Sequence, residues 1–266
     1  MTATERNGTF GTYTWFQARS MRNTVLFWAL GLVIYCGLIV AIYPSVKDVV
    51  DISLVPENLR AAFNINDFTQ LASFLSSELF GVILPILLPF FGLIALSWVV
   101  AGAEERGRLD VLLGNPIPRW NLVVGSWLVV AVALLFLVSV VGTVVFSMAT
   151  LLDLDLTARQ AYRAAFALWP VTIVFGSFAL LMSTFVRARS TALAVPAAVL
   201  FLMYLANVIA RLAPSISWLR WGTVYHYYGN AIVEGLWWPG VVTLLTASGV
   251  MLLVAIVQFE RRDLYA

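Results

Sequence analysis

The chain has 266 residues, of which 61% are hydrophobic and 11% charged, with a mean hydropathy of +0.91. A water-soluble domain carries about 25% charged residues, so most of this chain has lipid as its solvent. A net charge of +2 gives no support to a nucleic-acid partner, and one cysteine (Cys36) and one histidine (His226) exclude an intrachain disulfide and any multi-cysteine or multi-histidine metal site.

The N-terminal stretch MTATERNGTFGTYTWFQARSMRN is polar and has no short apolar core before a small-residue cleavage site, so it reads as mature sequence. Within it Phe10, Tyr13 and Phe16 recur every three residues, with Arg19 and Arg22 roughly opposite. That pattern predicts an amphipathic helix over 10–23 lying in the membrane interface. Six apolar runs then have the length of about 20 residues that a spanning helix needs. They cover about 25–43, 79–101, 122–150, 164–186, 191–210 and 241–259, and no Asp, Glu, Lys or Arg falls in the middle of any of them. The fold class expected is all-α, a single polytopic membrane domain over 1–266. Pro85, Pro89, Pro170 and Pro196 lie in or near spans, where proline is tolerated and bends a helix.

An even number of spans puts both termini on one side. That side would carry ten basic residues: Arg6, Arg19, Arg22, Arg106, Arg108, Arg119, Arg187, Arg189, Arg261 and Arg262. The other would carry six: Lys47, Arg60, Arg159, Arg163, Arg211 and Arg220. The excess predicts a cell-membrane protein with cytoplasmic termini.

Between the second and third spans, AEERGRLDVLLGNPIPRW carries three acids and three arginines inside otherwise uncharged surroundings. Leu109, Leu112 and Leu113 share one helical face, Glu104 and Glu105 suit the positive end of a helix dipole, and Gly114-Asn115-Pro116 ends the pattern. The prediction is a short amphipathic helix over 103–114. It reads either as an interfacial element on lipid headgroups or as a docking element for a cytoplasmic partner. The segment over 44–78 is acidic. The segment over 211–239 is aromatic and broken by Gly222, Gly229 and Gly235, which fits either an interfacial belt or a pair of short helices forming an outer gate at Trp221, Tyr225, Tyr227 and Tyr228. His226 reads there as an interfacial side chain. In the fifth span Ala194 and Ala198 form a small-residue pair and Asn207 is polar, so this helix is the expected dimer contact.

The only lysine, Lys47, is followed by Asp48 and not by Ser or Thr, so the chain has no nucleotide-binding phosphate loop. The spans lack the mid-membrane ionisable groups usual in ion-coupled transporters, offering only polar residues such as Thr172, Ser177, Ser183 and Asn207. They also lack the clustered groups an intramembrane enzyme needs. A non-transporting scaffold or sensor remains open on these grounds.

The order of elements resembles the permease subunit of ABC-2-type transporters along nearly the whole chain. The most specific match is Glu105, Gly107, Leu109, Asp110, Leu112, Leu113, Pro116 and Arg119, with Arg108 where the family often has Thr and Ser126 after Gly125 where Gly-Lys is common. FVRARSTALAVPAAVLFLMYLANVIA, with Arg187 and Arg189 at a cytoplasmic turn, and FERRDL at 259–264 are weaker matches. The resemblance implies a non-catalytic chain that holds no cofactor. ATP and Mg would be bound by two separate ABC ATPase subunits, a second permease copy or sister subunit would complete the pathway, and the cargo would be exported. Apolar walls favour a hydrophobic or amphipathic one. It also implies that Glu104, Glu105, Arg106, Arg108, Leu109, Leu112, Leu113, Pro116 and Arg119 couple to the ATPase.

Overall fold

The computed structural model describes residues 3–46, 70–107 and 118–262. Every regular element among them is helical: α1 (Ala3–Val46), α2 (Leu71–Glu105), α3 (Arg119–Leu151), α4 (Ala158–Phe185), α5 (Arg189–Leu212), a 3₁₀ turn (Pro214–Gly222), α6 (Val224–Tyr228) and α7 (Trp238–Arg261). Six of these are long and apolar enough to cross a membrane, and they coincide with the six apolar runs. The residues expected to form 44–78 fall largely outside the described part of the chain.

The ends differ from expectation in one important place. No break separates an interfacial helix over 10–23 from the first span, because α1 runs unbroken from Ala3 to Val46. The reason lies in α3. The Tyr13 hydroxyl is 2.8 Å from Ser126 Oγ, and a side chain on Gly125 would meet Thr14 and Tyr13 at 3.0 Å. Further along, Gly37 sits beside Val144 and Met148. The stretch expected as an interfacial helix therefore continues into the first span and runs alongside α3.

The bundle is organised around α4. Of its most apolar window 72% is buried, against 22% for α1 and α5 and 28% for α7, so α4 is the hub and the others keep a broad apolar face outward. A capping box starts it: Thr157 Oγ1 accepts the Gln160 N–H, and the Gln160 side chain accepts the Thr157 N–H. Buried polar groups tie it to its neighbours. Trp127 Nε1 donates to Ser177 Oγ at 2.7 Å, Ser177 Oγ lies 2.6 Å from Ser248 Oγ, and Trp169 Nε1 donates to the Ala131 carbonyl at 2.9 Å. In lipid, where apolar contact alone does not favour helix over solvent, such bonds and close packing carry association.

α2 and α4 approach each other closely. A Cβ on Gly92 would stand 3.3 Å from Gly176 Cα and 3.4 Å from the Thr172 carbonyl. Two glycines meet here with no side chain between the backbones. Gly92→Val forces backbone apart from backbone and should cost about 1–3 kcal/mol, read as a lowered melting midpoint of the purified chain in detergent. Gly31→Val, where nothing lies within 4 Å, should leave the midpoint close to that of the parent.

Candidate functional site

The charged stretch after α2 begins with an unusual turn. The last part of α2 widens into a π-helical segment, Trp98–Gly102, and the indole of Trp98 lies so close over Gly102 that no side chain fits there. The helix ends at Glu105, and Gly107, with φ +63°, donates its N–H to the Glu104 carbonyl at 2.9 Å. This left-handed position favours glycine. Two guanidinium carbons lie by the Trp98 ring, Arg106 at 4.1 Å and Arg189 at 4.0 Å from its centroid.

The remaining charges join helix ends. Arg262, just past α7, sends one nitrogen, Nη2, to both oxygens of Glu104 at 2.7 and 3.1 Å. Its Nη1 donates to the Thr184 carbonyl at 3.3 Å, in the last turn of α4, where a cation suits the negative end of the dipole. Arg187 reaches Glu104 more loosely, at 3.7 Å. Glu105 accepts the backbone N–H of Arg189 at 3.0 Å, so a carboxylate caps the start of α5. Arg119 opens α3 and its Nη1 reaches three carbonyls at the end of α7: Phe259 at 3.2 Å, Glu260 at 3.4 Å and Arg262 at 2.8 Å. One cluster thus binds the ends of α2, α3, α4, α5 and α7.

Glu104, Glu105, Arg106, Arg119, Arg187 and Arg189 all meet in this cluster. Glu104, Glu105 and Arg119 bond to the ends of other helices, while Arg106 lies on the Trp98 ring of α2 itself. Arg108, Leu109, Leu112, Leu113 and Pro116 lie outside the described residues. Sequence reasoning missed Trp98 and Thr184, and it placed Arg262 only in a basic ending, because its partner Glu104 is 158 positions away. It also missed Asn121, fully buried in the first turn of α3 with neither amide atom partnered.

The opposite end of the bundle is held by tyrosines. In α2 the N–H of Leu84 reaches back five residues to the Leu79 carbonyl, and Pro85 and Pro89 have no N–H to give. The carbonyls of Phe80, Gly81 and Pro85 therefore lose their helical donors. Three hydroxyls replace them: Tyr228 to Phe80 at 3.0 Å, Tyr204 to Gly81 at 3.4 Å and Tyr225 to Pro85 at 3.2 Å. Burial pushes the Tyr225 phenol above its ordinary pKa, so it stays a donor. Of the four residues expected at a gate, Tyr225 and Tyr228 are thus clamped onto α2. Tyr227 donates to the Trp221 carbonyl at 3.2 Å, and the Trp221 side chain is exposed. On α5, Ala194 and Ala198 face outward. Asn207 does not share that face: it is 7% exposed and turned into the chain, which removes it from the expected dimer contact.

The six spans and this architecture agree with one family model, that of the ABC-2 family transporter proteins, which matches residues 16–264. The chain belongs to the ABC-2 transporter family. No curated protein matches it. It is a multi-pass membrane protein of the permease type, and membership implies association with an ABC ATPase.

In this ABC-2 chain Glu104→Gln leaves Arg262, whose side chain is 13% exposed, without its anion. The expected loss is about 1–3 kcal/mol, seen in thermal melting, whereas Arg187→Gln, at a side chain 71% exposed, should change the midpoint by the equivalent of less than about 1 kcal/mol. Tyr228→Phe removes the donor from the Phe80 carbonyl and should cost a further independent loss of about 1–3 kcal/mol, with faster amide hydrogen exchange localised to 79–86.

Proposed function

We propose that the chain is the membrane permease of an ATP-driven exporter, seated in the cell membrane with both termini in the cytoplasm. Two ABC ATPase subunits, which bind ATP and Mg, engage it through the charged connection between the second and third spans, from Glu104 to Arg119, and a second permease copy or sister subunit completes the pathway. The exported cargo is hydrophobic or amphipathic. The chain itself performs no chemistry.

The observation that supports this reading most is the charged cluster. The connection leaves α2 at Glu104 and Glu105 and returns at Arg119: Glu105 caps the start of α5, Arg119 donates to carbonyls at the end of α7, and Glu104 pairs with Arg262, which in turn donates to the last turn of α4. A partner that pulls on 108–117 therefore acts on five helices together. The cluster is also built of charge-assisted bonds, which are about twice as strong as neutral ones, so the pull is not absorbed in a loose loop. The ten-to-six division of basic residues supports the orientation. The outward Ala194 and Ala198 on α5 support a close helix contact with the second copy.

Leu109 and Leu112, which the sequence pattern puts on one face of the expected helix, are the anchors proposed to enter an apolar groove of the ATPase. Replacing both by Ala removes contact of about 1–3 kcal/mol per side chain. Membrane insertion should persist, while ATPase co-purification and transport-coupled ATP turnover fall together. If the double variant retains its ATPase and couples normally, the connection is a membrane-surface element and the coupling role is lost.

A further inference from the structure

At the tyrosine-held end, opposite the charged cluster, lies a cavity of about 730 Å³ between the end of α5, the 3₁₀ turn, α6 and the loop before α7. Its polar groups are nearly all donors. Arg211 and Arg220 line it, and among the described residues neither has a carboxylate within ion-pair distance. Arg220 Nε donates to His226 Nδ1 at 3.3 Å, which leaves the imidazole proton on Nε2. That buried N–H has no partner. Burial, then the charges of Arg220 and Arg211, hold His226 below its ordinary pKa, so the ring stays neutral and keeps this tautomer. Asn230 Oδ1 accepts the Ser76 hydroxyl at 3.0 Å, and its buried Nδ2 is again without a partner. Arg163, whose Nε is buried and unpartnered, approaches the rim at Gly235. The single lining carboxylate is Glu234. The apolar walls are Trp221 and Trp237, each packed against His226, with ring centroids at 4.4 and 5.9 Å.

Unpartnered buried donors carry a desolvation cost that an acceptor-rich ligand relieves. Two guanidiniums set that ligand's sign and suit the planar geometry of an oxyanion. Flat aromatic walls suit a hydrocarbon body beside the charged head. We infer that this cavity binds an amphiphile with an oxyanion head, the head held by Arg211, Arg220, His226 Nε2 and Asn230 Nδ2 and the apolar body lying on Trp221 and Trp237. The inference does not rest on the ATPase-coupling role of the 108–117 connection and stands or falls separately from it.

The test uses the purified full chain in phosphatidylcholine nanodiscs. In one arm n-hexyl phosphate is titrated by calorimetry. In the other the discs are doped with phosphatidylglycerol, and lipid retained per chain is counted by native mass spectrometry. Saturable binding near one per chain is expected in at least one arm. Binding in the first identifies a soluble amphiphile as the source, and binding in the second identifies a membrane lipid. Arg211→Gln/Arg220→Gln should weaken the positive arm at least tenfold. Arg220→Gln alone, at an exposed side chain, should weaken it severalfold with an unchanged melting midpoint, which guards against a folding defect. Glu234→Gln removes the one opposing charge and should tighten binding severalfold, a gain that loss of structure does not produce. Trp221→Ala should weaken hexyl phosphate more than it weakens inorganic phosphate. Absence of saturable binding in both arms, or binding indifferent to Arg220 and Glu234, overturns the inference.

Discussion

The constraint on which this structure depends is that a backbone polar group inside a bilayer has no water to turn to. An unbroken helix satisfies its own interior, but it leaves donors unpaired at its start and acceptors unpaired at its end. It leaves further acceptors wherever proline interrupts it. Here both debts are met by side chains from other helices. Three tyrosine hydroxyls cover the carbonyls that Pro85 and Pro89 strip of donors, and Arg119, Arg262 and Glu105 cover the ends of α7, α4 and α5. Satisfying the backbone and assembling the bundle are therefore the same set of contacts.

This makes α2 the most constrained of the six spans. Its first half is held by hydroxyls from α5 and α6, its middle meets α4 glycine to glycine, and its last turn is held by Arg262 and by the start of α5. α1 differs. It has a broad exposed apolar face carrying Phe27, Leu30 and Ile34, and it is attached to α3 through Tyr13 and to α2 through the ring contacts of Trp28 with Phe91 and Tyr43 with Phe74. The chain thus combines a tightly bonded interior around α2 and α4 with outer helices that present mainly hydrocarbon to their surroundings.

Much of this was legible in the sequence because a spanning helix needs only length and apolarity, both local properties. All six spans follow from that. The charged stretch also stood out locally: Glu104 meets Arg187, Glu105 meets Arg189, Arg106 shares the Trp98 ring with Arg189, and Arg119 reaches the end of α7. Their partners were not legible. Arg262 answers Glu104 across most of the chain, and the carbonyls that Arg119 and Arg262 reach carry no side-chain signature. The prolines of α2 announced a distortion but not which hydroxyls would answer it. The separate interfacial helix was expected from a local pattern, and nothing local shows that Tyr13 finds its partner in Ser126 of α3 while Phe16 stays exposed. Asn207 was read as a polar group available to a neighbouring chain, whereas its place on α5 turns it inward. The cavity beside it joins residues from 207 to 237, and the alternating short turns there offer no single period to read.

The contact of Gly92 with Gly176 divides α2 into two arms. At a rise of about 1.5 Å per residue, the Gly81 carbonyl lies roughly 17 Å along α2 on one side of it and Glu104 roughly 18 Å on the other. The Leu96 side chain of α2 packs beside Gly176 at the same crossing. With arms of nearly equal length, a rigid α2 rocked about that point would carry a displacement of the charged end to the tyrosine-held end with little change in size and in the reverse direction.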